Sequence, residues 1–281
     1  MDIESFISLS LQEDIGSGDH TSLATIPAEA KGKARLLVKD EGIIAGVEIA
    51  IKIFHKVDPS LLVTVLIQDG SKVKFGDIVL TIEGSDRSIL TAERLVLNCM
   101  QRMSGIASLT KTYSDKLKGY KTKILDTRKT TPNFRLLEKE AVKIGGAYNH
   151  RFGLYDMIML KDNHIDYCGG ITQAIEKAFQ YVQTTKTGLK IEVETRTIED
   201  VEKVLKVGKG KVFRVMFDNF TPQQIIDALK IIDGAFETEA SGGINLDNIQ
   251  AYAATGVDYV SVGALIHQAK SLDLSLKATI D

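Results

Sequence analysis

Apolar residues recur along this chain with two rhythms. In the first hundred residues, apolar runs at 34–38, 61–67 and 78–82 predict strands, and helical spacing over 3–11 and 47–57 predicts helices. The stretch 13–22, rich in glycine and short polar side chains, reads as a loop, and Asp69-Gly70 and Gly76-Asp77 mark turns. Strands in a run with one helix between them predict a small α+β layer. From Ser88 to about Lys118 the spacing becomes helical, with a break expected near Ser104-Gly105.

After Tyr120 strand and helix alternate. Strand-like runs fall at 122–125, 156–160, 190–193, 212–217, 236–239 and 258–262, each succeeded by a helical segment: 134–144, 171–182, 198–207, 222–232, 246–254 and a short 264–269. Such alternation predicts a parallel sheet with helical crossovers, doubly wound or closed into a barrel. Six clear units fit an incomplete α/β barrel better than a closed eight-stranded one. The expected domains are 1–112 and 113–281, with the last residues free to pack back on the first domain.

The chemistry lies at the strand ends. The first strand ends in Asp126-Thr127-Arg128-Lys129-Thr130-Thr131-Pro132, the second in Lys161-Asp162-Asn163-His164 and the third in Glu192-Val193-Glu194. The others end in Asp218-Asn219, Ser241-Gly242-Gly243 and Gly263. In a barrel these carboxyl ends share one face, where such folds carry their sites. A guanidinium, an ammonium and the hydroxyls of Thr127, Thr130 and Thr131 on one turn suit a multiply charged anion. Ser241-Gly242-Gly243 and Gly263, late in the barrel order and before helices expected near Asn245 and Ala264, suit a phosphate.

Glu192 and Glu194 are two apart on a strand and so point to one side. Two acids there need cations or a metal, and Asp218 one strand later could complete an oxygen-rich Mg²⁺ environment. Pairing of either glutamate with Lys161 or Arg128 is the open alternative. His150 beside Arg151 suits an anion grip, while His164 reads as a structural hydrogen-bonding residue. Arg102, among Leu95, Val96, Leu97, Met100, Met103 and Ile106, reads on its own as a surface or capping arginine.

Composition narrows the classes. With 281 residues, 44% apolar and 26% charged, the chain has the make-up of an ordinary globular protein. A net charge of -2 with no basic stripe argues against nucleic acid. The longest apolar stretch, 89–109, holds Glu93, Arg94, Asn98 and Arg102 and makes a poor membrane span. Residues 1–14 lack the basic start of a signal peptide, and two cysteines, Cys99 and Cys168, are too few for a disulfide framework. A cytoplasmic location is expected.

The order and spacing of Asp126 to Pro132, Gly145-Gly146 before Asn149-His150-Arg151, Leu160 to Ile165, Glu192-Val193-Glu194, Phe217-Asp218-Asn219-Phe220, Glu239 to Ile244 and Val262-Gly263 resemble the quinolinate phosphoribosyltransferase family, also called nicotinate-nucleotide pyrophosphorylase. The loop 13–22 and Gln101 to Ile106 are similar to it too. The resemblance implies an N-terminal α/β sandwich and an open, seven-stranded α/β barrel, in homodimers or higher homo-oligomers whose active sites are shared. It implies transfer of a phosphoribosyl group from 5-phosphoribosyl-1-pyrophosphate to quinolinate with loss of CO₂, giving nicotinate mononucleotide for NAD biosynthesis.

Carried over by motif, Arg128, Lys129, His150, Arg151 and Lys161, with Thr127, would form the cationic substrate pocket, and a partner subunit would add its Arg102. Glu194 and Asp218 would bind Mg²⁺ and the ribose; Ser241, Gly242, Gly243 and Gly263 would hold the 5-phosphate. Lys129, Lys161, Glu194 and Asp218 would be catalytic. Asn133, Ala147 and Thr195-Arg196 depart from the family pattern, and Arg196 is expected to face solvent. Competing readings are a paralogue associated with molybdate transport, a phosphosugar aldolase or isomerase with Lys161 as a Schiff base, and a non-catalytic phosphometabolite-binding barrel.

Overall fold

Three sheets organise the described residues, one of them parallel and two antiparallel. The structure, a computed structural model, describes residues 2–279. In chain order the elements are α1 (Ile3–Ile15), α2 (His20–Thr25), β1 (Lys31–Val38), β2 (Gly42–Ile43), α3 (Val47–Val57), β3 (Leu62–Val65), β4 (Lys72–Val73), β5 (Ile78–Ser85) and the long α4 (Asp86–Lys116). Then come β6 (Lys123–Leu125), α5 (Arg135–Ile144), β7 (Ile158–Leu160), α6 (Asp162–Cys168), α7 (Ile171–Thr185), β8 (Ile191–Thr195) and α8 (Ile198–Gly208). Last are β9 (Arg214–Asp218), α9 (Pro222–Ile232), β10 (Glu237–Ser241), α10 (Ile249–Ala254), β11 (Tyr259–Ser261), α11 (Ala264–His267) and β12 (Leu274–Thr279).

Two compact units result. One takes in the chain up to Thr112, Thr130–Gly146 and the chain from Leu265 on; the other holds Tyr113–Lys129 and Ala147–Ala264. The first unit therefore includes α5 and β12, which lie beyond the cut at 112 read from the sequence. Its four-stranded sheet runs β12-β1-β5-β3, and β12 pairs with β1 from Lys33↔Thr279 to Val38↔Leu274. In β1, Ala34, Leu36 and Val38 turn to the core while their neighbours are partly or fully exposed, the period of two expected of a sheet covered on one face.

Helix α3 buries Val47, Ala50, Ile53 and Phe54, one stripe of a 3.6-residue period. Burial of Phe54 alone is worth about 2 kcal/mol. Gly46 opens this helix at φ 97°, and Asp69 Oδ1 accepts the N–H of Val47 at 2.9 Å, satisfying one free donor of the first turn. The loop expected over 13–22 ends in α2, whose first turn is capped by Asp19 accepting from the N–H of Ser22.

The break expected near Ser104-Gly105 does not occur: α4 is continuous over 31 residues. Gly105 is there for proximity. A Cβ on it would stand 1.9 Å from the carbonyl oxygen of Lys270, so the backbone after α11 lies directly on this glycine. Ser104 Oγ meanwhile accepts from the N–H of Ala45 at 2.9 Å, giving a buried hydroxyl its partner.

In the second unit six parallel strands take the order β6-β11-β10-β9-β8-β7 and leave an open barrel. Tyr148 adds a one-residue seventh rung beside β6: its N–H donates to Ile124 O at 2.9 Å and its carbonyl accepts from Asp126 N at 3.0 Å. Every residue of β8 is buried, as a parallel strand covered on both faces requires. The outer cover comes from α7, α8 and α9, which bury Ile171 and Ile175, Val201 and Val204, and Ile225 and Ile232. Helix α9 starts where its sequence says, with Pro222 in the first turn and a reciprocal Thr221/Gln224 cap.

Gly105→Ala tests the close approach. The added methyl cannot be absorbed by rotating a side chain, because backbone opposes it, and we expect a loss of about 1–3 kcal/mol measured by urea unfolding.

Candidate active site

Because all six strands of the second sheet are parallel, the residues that leave their carboxyl ends gather on one face. After β6 come Thr127, Arg128 and Lys129; Thr127 Oγ1 accepts the N–H of Lys129 at 3.0 Å and rounds the turn. Arg128 is half-buried, and its Nε is buried with no hydrogen-bond partner among the described residues. Arg151 sends Nη1 to the carbonyl of Met157 at 3.0 Å. Its pKa is lowered by burial and next by the positive charge of Arg128, which places the two guanidinium groups close enough to repel. A pair of half-buried arginines, one with an unused donor, suits an anion.

Beneath it the barrel interior holds four ionisable groups. His150 Nε2 lies 3.2 Å from Glu192 Oε2 and 3.4 Å from Glu239 Oε2. Arg214 Nη1 lies 2.9 Å from Glu239 Oε2 and 3.8 Å from Glu192 Oε2. Strand register causes this. Arg214 on β9 stands opposite Glu192 on β8 and Glu237 on β10, and its Nη2 reaches Glu237 Oε2 at 2.9 Å. Its guanidinium also lies over Tyr259, 4.2 Å from the ring centre. Glu192 thus pairs with His150 and Arg214, not with the Lys161 or Arg128 left open by the sequence. His150, Glu192 and Glu239 are near enough to share a metal ion. The cation place among them is filled from within the chain by Arg214.

Burial alone would lower the pKa of His150, but the carboxylates of Glu192 and Glu239 raise it to about 9. The N–H of Arg151 points at its Nδ1 from 2.7 Å and resists a second proton. One neutral hydrogen bond is worth about 1 kcal/mol, each charged one about 1.5–3, so the two carboxylates win. Glu239 is pushed up by burial yet held ionised by His150 and Arg214, while burial and the charge of Glu239 raise Glu192. The buried Asp126 fixes the backbone of this segment, accepting the N–H of His150 at 2.7 Å.

On the other side of the face are the acids. Glu194, at the end of β8, has its pKa raised by burial and then by the negative charge of Asp218, while Lys161 pulls it down. Two neighbouring carboxylates that repel, with a lysine beside them, are an oxygen donor set suited to a hard dication. Asp162 N donates to Glu194 Oε1 at 3.4 Å, and Lys161 N donates to His164 Nδ1 at 3.1 Å, so His164 serves the turn. Arg196 turns outward to Asp166 at 2.8 Å, half exposed, and leaves these acids alone.

Ser241, Gly242, Gly243 and Gly263 stand at the ends of β10 and β11. Gly242, at φ 96°, is crowded: a Cβ there would stand 2.2 Å from Asn219 Oδ1. Gly243, at φ 61°, faces open space. The helix expected near Asn245 begins only at Ile249. Asn248 takes the intervening turn, accepting the N–H of Asn245 at 2.8 Å and donating to Gly243 O at 3.0 Å. Loop backbone therefore forms this cradle, and the helix terminus lies farther on.

Arg102 belongs to the first unit. Its Nε and Nη2 donate to Glu138 Oε1 at 3.0 and 2.8 Å, and further N–H groups go to the carbonyls of Ile266 and Ala269, both at 2.9 Å. The sequence reading missed Arg214, Glu239 as an ion partner, Asp126 and Glu138. Only the pair Glu192 and Glu194 signalled the need for a cation or metal there.

The family model described as the C-terminal domain of quinolinate phosphoribosyl transferase matches residues 106–277, and that of the N-terminal domain matches 19–104. Quinolinate phosphoribosyltransferase (decarboxylating) 1b of Nicotiana tabacum is 45% identical over 289 aligned positions, covering 98% of this chain and 82% of the relative. The probable nicotinate-nucleotide pyrophosphorylase (carboxylating) of Bacillus subtilis is 42% identical, covering 95% and 90%. The crystal structure of NadC from Streptococcus pyogenes superposes with a TM-score of 0.91 at 39% identity, covering 99% of this chain and 97% of that one.

Two measurements check the buried cluster. A folded pKa of about 9 against 6.5 unfolded gives stability of about 3 kcal/mol, full below pH 6.5 and lost as pH rises through 9. Urea unfolding from pH 6 to 10 should show that decline in the parent and lose it in His150→Asn. Arg214→Met, which leaves Glu239 and Glu192 without their cation, should cost about 3–5 kcal/mol.

Proposed function

The chain belongs to the quinolinate phosphoribosyltransferase family, and we propose that it transfers the phosphoribosyl group of 5-phosphoribosyl-1-pyrophosphate to quinolinate, with decarboxylation, in NAD biosynthesis. The observation that carries this is the division of the strand-end face into a guanidinium pair, a carboxylate pair and a glycine cradle. Quinolinate brings two carboxylates, and the donor brings a phosphate and a pyrophosphate. Arg128, Arg151 and Lys129 offset the first, with Thr127 bounding the turn, while Ser241, Gly242, Gly243 and Gly263 receive the 5-phosphate on backbone N–H groups.

Attack of the ring nitrogen on the ribose C1 breaks the bond to pyrophosphate. As that bond breaks, positive charge develops on the ribose in the transition state, where Glu194 and Asp218 would stabilise it, and it passes to the ring nitrogen once the new bond has formed. Lys161 and Lys129 hold anionic oxygens in place. Mg²⁺ belongs to this proposal: Glu194 and Asp218 would hold it, and when bound it offsets the negative charge of the pyrophosphate. Once the nitrogen is alkylated, the C–C bond to the neighbouring carboxylate breaks, CO₂ leaves, its bonding electron pair stays on the ring carbon beside the positive nitrogen, and that carbon takes up a proton. No organic cofactor is required.

His150 lies below this pocket and supports it, with Nε2 toward Glu192 and Nδ1 facing the N–H of Arg151. In the same proposal the protein is a homodimer or larger homo-oligomer in which Arg102 of each copy serves its neighbour's site. Among the described residues no helix is long and apolar enough to cross a membrane. Residence in the cytoplasm is likewise proposed; cell fractionation tests it.

Purified protein mixed with quinolinate, 5-phosphoribosyl-1-pyrophosphate and Mg²⁺ should form nicotinate mononucleotide only when both substrates are present. Arg128→Ala should lower kcat/KM at least about a hundredfold, by loss of a charged two-point contact. No product from folded parent protein contradicts the assignment. Gly242→Ala, crowded by Asn219, should raise KM for the phosphoribosyl donor more than for quinolinate.

A further inference from the structure

Glu138 is fully buried in the first turn of α5 and is not among the residues that meet substrate in the proposal above. Its Oε1 accepts from Arg102 Nε at 3.0 Å, Arg102 Nη2 at 2.8 Å and Thr131 Oγ1 at 2.9 Å; its Oε2 accepts from Thr131 N at 2.8 Å. No ordinary helix-surface glutamate is so fully engaged. A carboxylate buried in this way is bound to one geometry, because leaving either oxygen unpaired is costly.

The effect falls on Arg102. A guanidinium has five N–H bonds. Glu138 takes the Nε hydrogen and one on Nη2, Ile266 O takes the other on Nη2, and Ala269 O takes one on Nη1. Among the described residues nothing takes the second Nη1 hydrogen, on a side chain that is 24% exposed. Arg102 can therefore offer a ligand its charge and one directed hydrogen bond, not a two-point fork.

We propose that Glu138 is a positioning residue for acceptor binding: its buried carboxylate fixes the orientation of Arg102, so that the single free N–H meets a carboxylate of the acceptor in the neighbouring copy's site. This rests on the reading that Arg102 binds quinolinate. A glutamate that only neutralised the arginine would weaken anion binding, and its removal would tighten it. Positioning has the opposite sign.

Glu138→Gln keeps the shape and removes the charge. We expect KM for quinolinate to rise about tenfold, the scale of one charged hydrogen bond, with kcat and the KM for the phosphoribosyl donor within about twofold. Added to Arg102→Ala, the same change should do nothing further to that KM, since its target is gone. Glu138→Asp, which keeps the buried charge but shortens the arm by one methylene, should give the same split and secures the test against a Gln variant that folds poorly. An unchanged or lowered quinolinate KM in both folded variants overturns the proposal, as does an effect that persists in the Arg102→Ala background. Failure of the underlying reading looks different: the parent makes no product, or Arg102→Ala alone leaves the quinolinate KM untouched.

Discussion

A charge that points into a parallel sheet has to be answered by an opposite charge within the same layer. In this barrel the requirement is met by Glu192, Arg214 and Glu239 on three neighbouring strands, with His150 closing the set. The four groups share a buried space, and each lies close to at least one group of opposite tendency. Replacing any one leaves its partners with uncompensated charge, so the cluster stands or falls together. Its position is what makes it consequential. The backbone of His150 is tied by Asp126 to the end of β6, the strand that leads directly into Thr127, Arg128 and Lys129.

Above that neutral floor the balance is left incomplete. Arg128 and Arg151 repel each other, and Arg128 keeps a buried donor unused; Glu194 and Asp218 repel each other across the face. A folded chain maintains such like-charge pairs only at a cost in stability, which a ligand of opposite charge relieves. Anions meet the first pair and a dication meets the second. The separation of paired charges below from unpaired ones above is the physical basis for reading this face as a site for a dicarboxylate and a phosphorylated sugar.

Local rules made much of this legible. The apolar stripe of α3, the cap and proline of α9 and the strand ends with their polar residues are all dictated by neighbours in sequence. Gly105 was misread because its reason lies in the backbone of Lys270, which no local pattern reveals. The late start of α10 was missed because Asn245 and Asn248 spend their side chains on the turn, although that habit of asparagine is itself local. Arg214 could not be assigned as the partner of Glu192 before strand register was known, for a slip of one residue would turn it to the other side. Glu138 was hidden among ordinary helical acids for the same reason: its partners come from α4 and from the turn before α5.

In this reading one face of the barrel performs both glycosyl transfer and loss of a carboxyl group. The most direct measurement uses quinolinate labelled in the carboxyl group beside the ring nitrogen, with 5-phosphoribosyl-1-pyrophosphate and Mg²⁺, counting labelled CO₂ against pyrophosphate. Equal amounts of the two are expected, with no labelled CO₂ when the phosphoribosyl donor is left out and no loss of label placed in the other carboxyl group. Pyrophosphate released without CO₂, or CO₂ released without the donor, would contradict this reading.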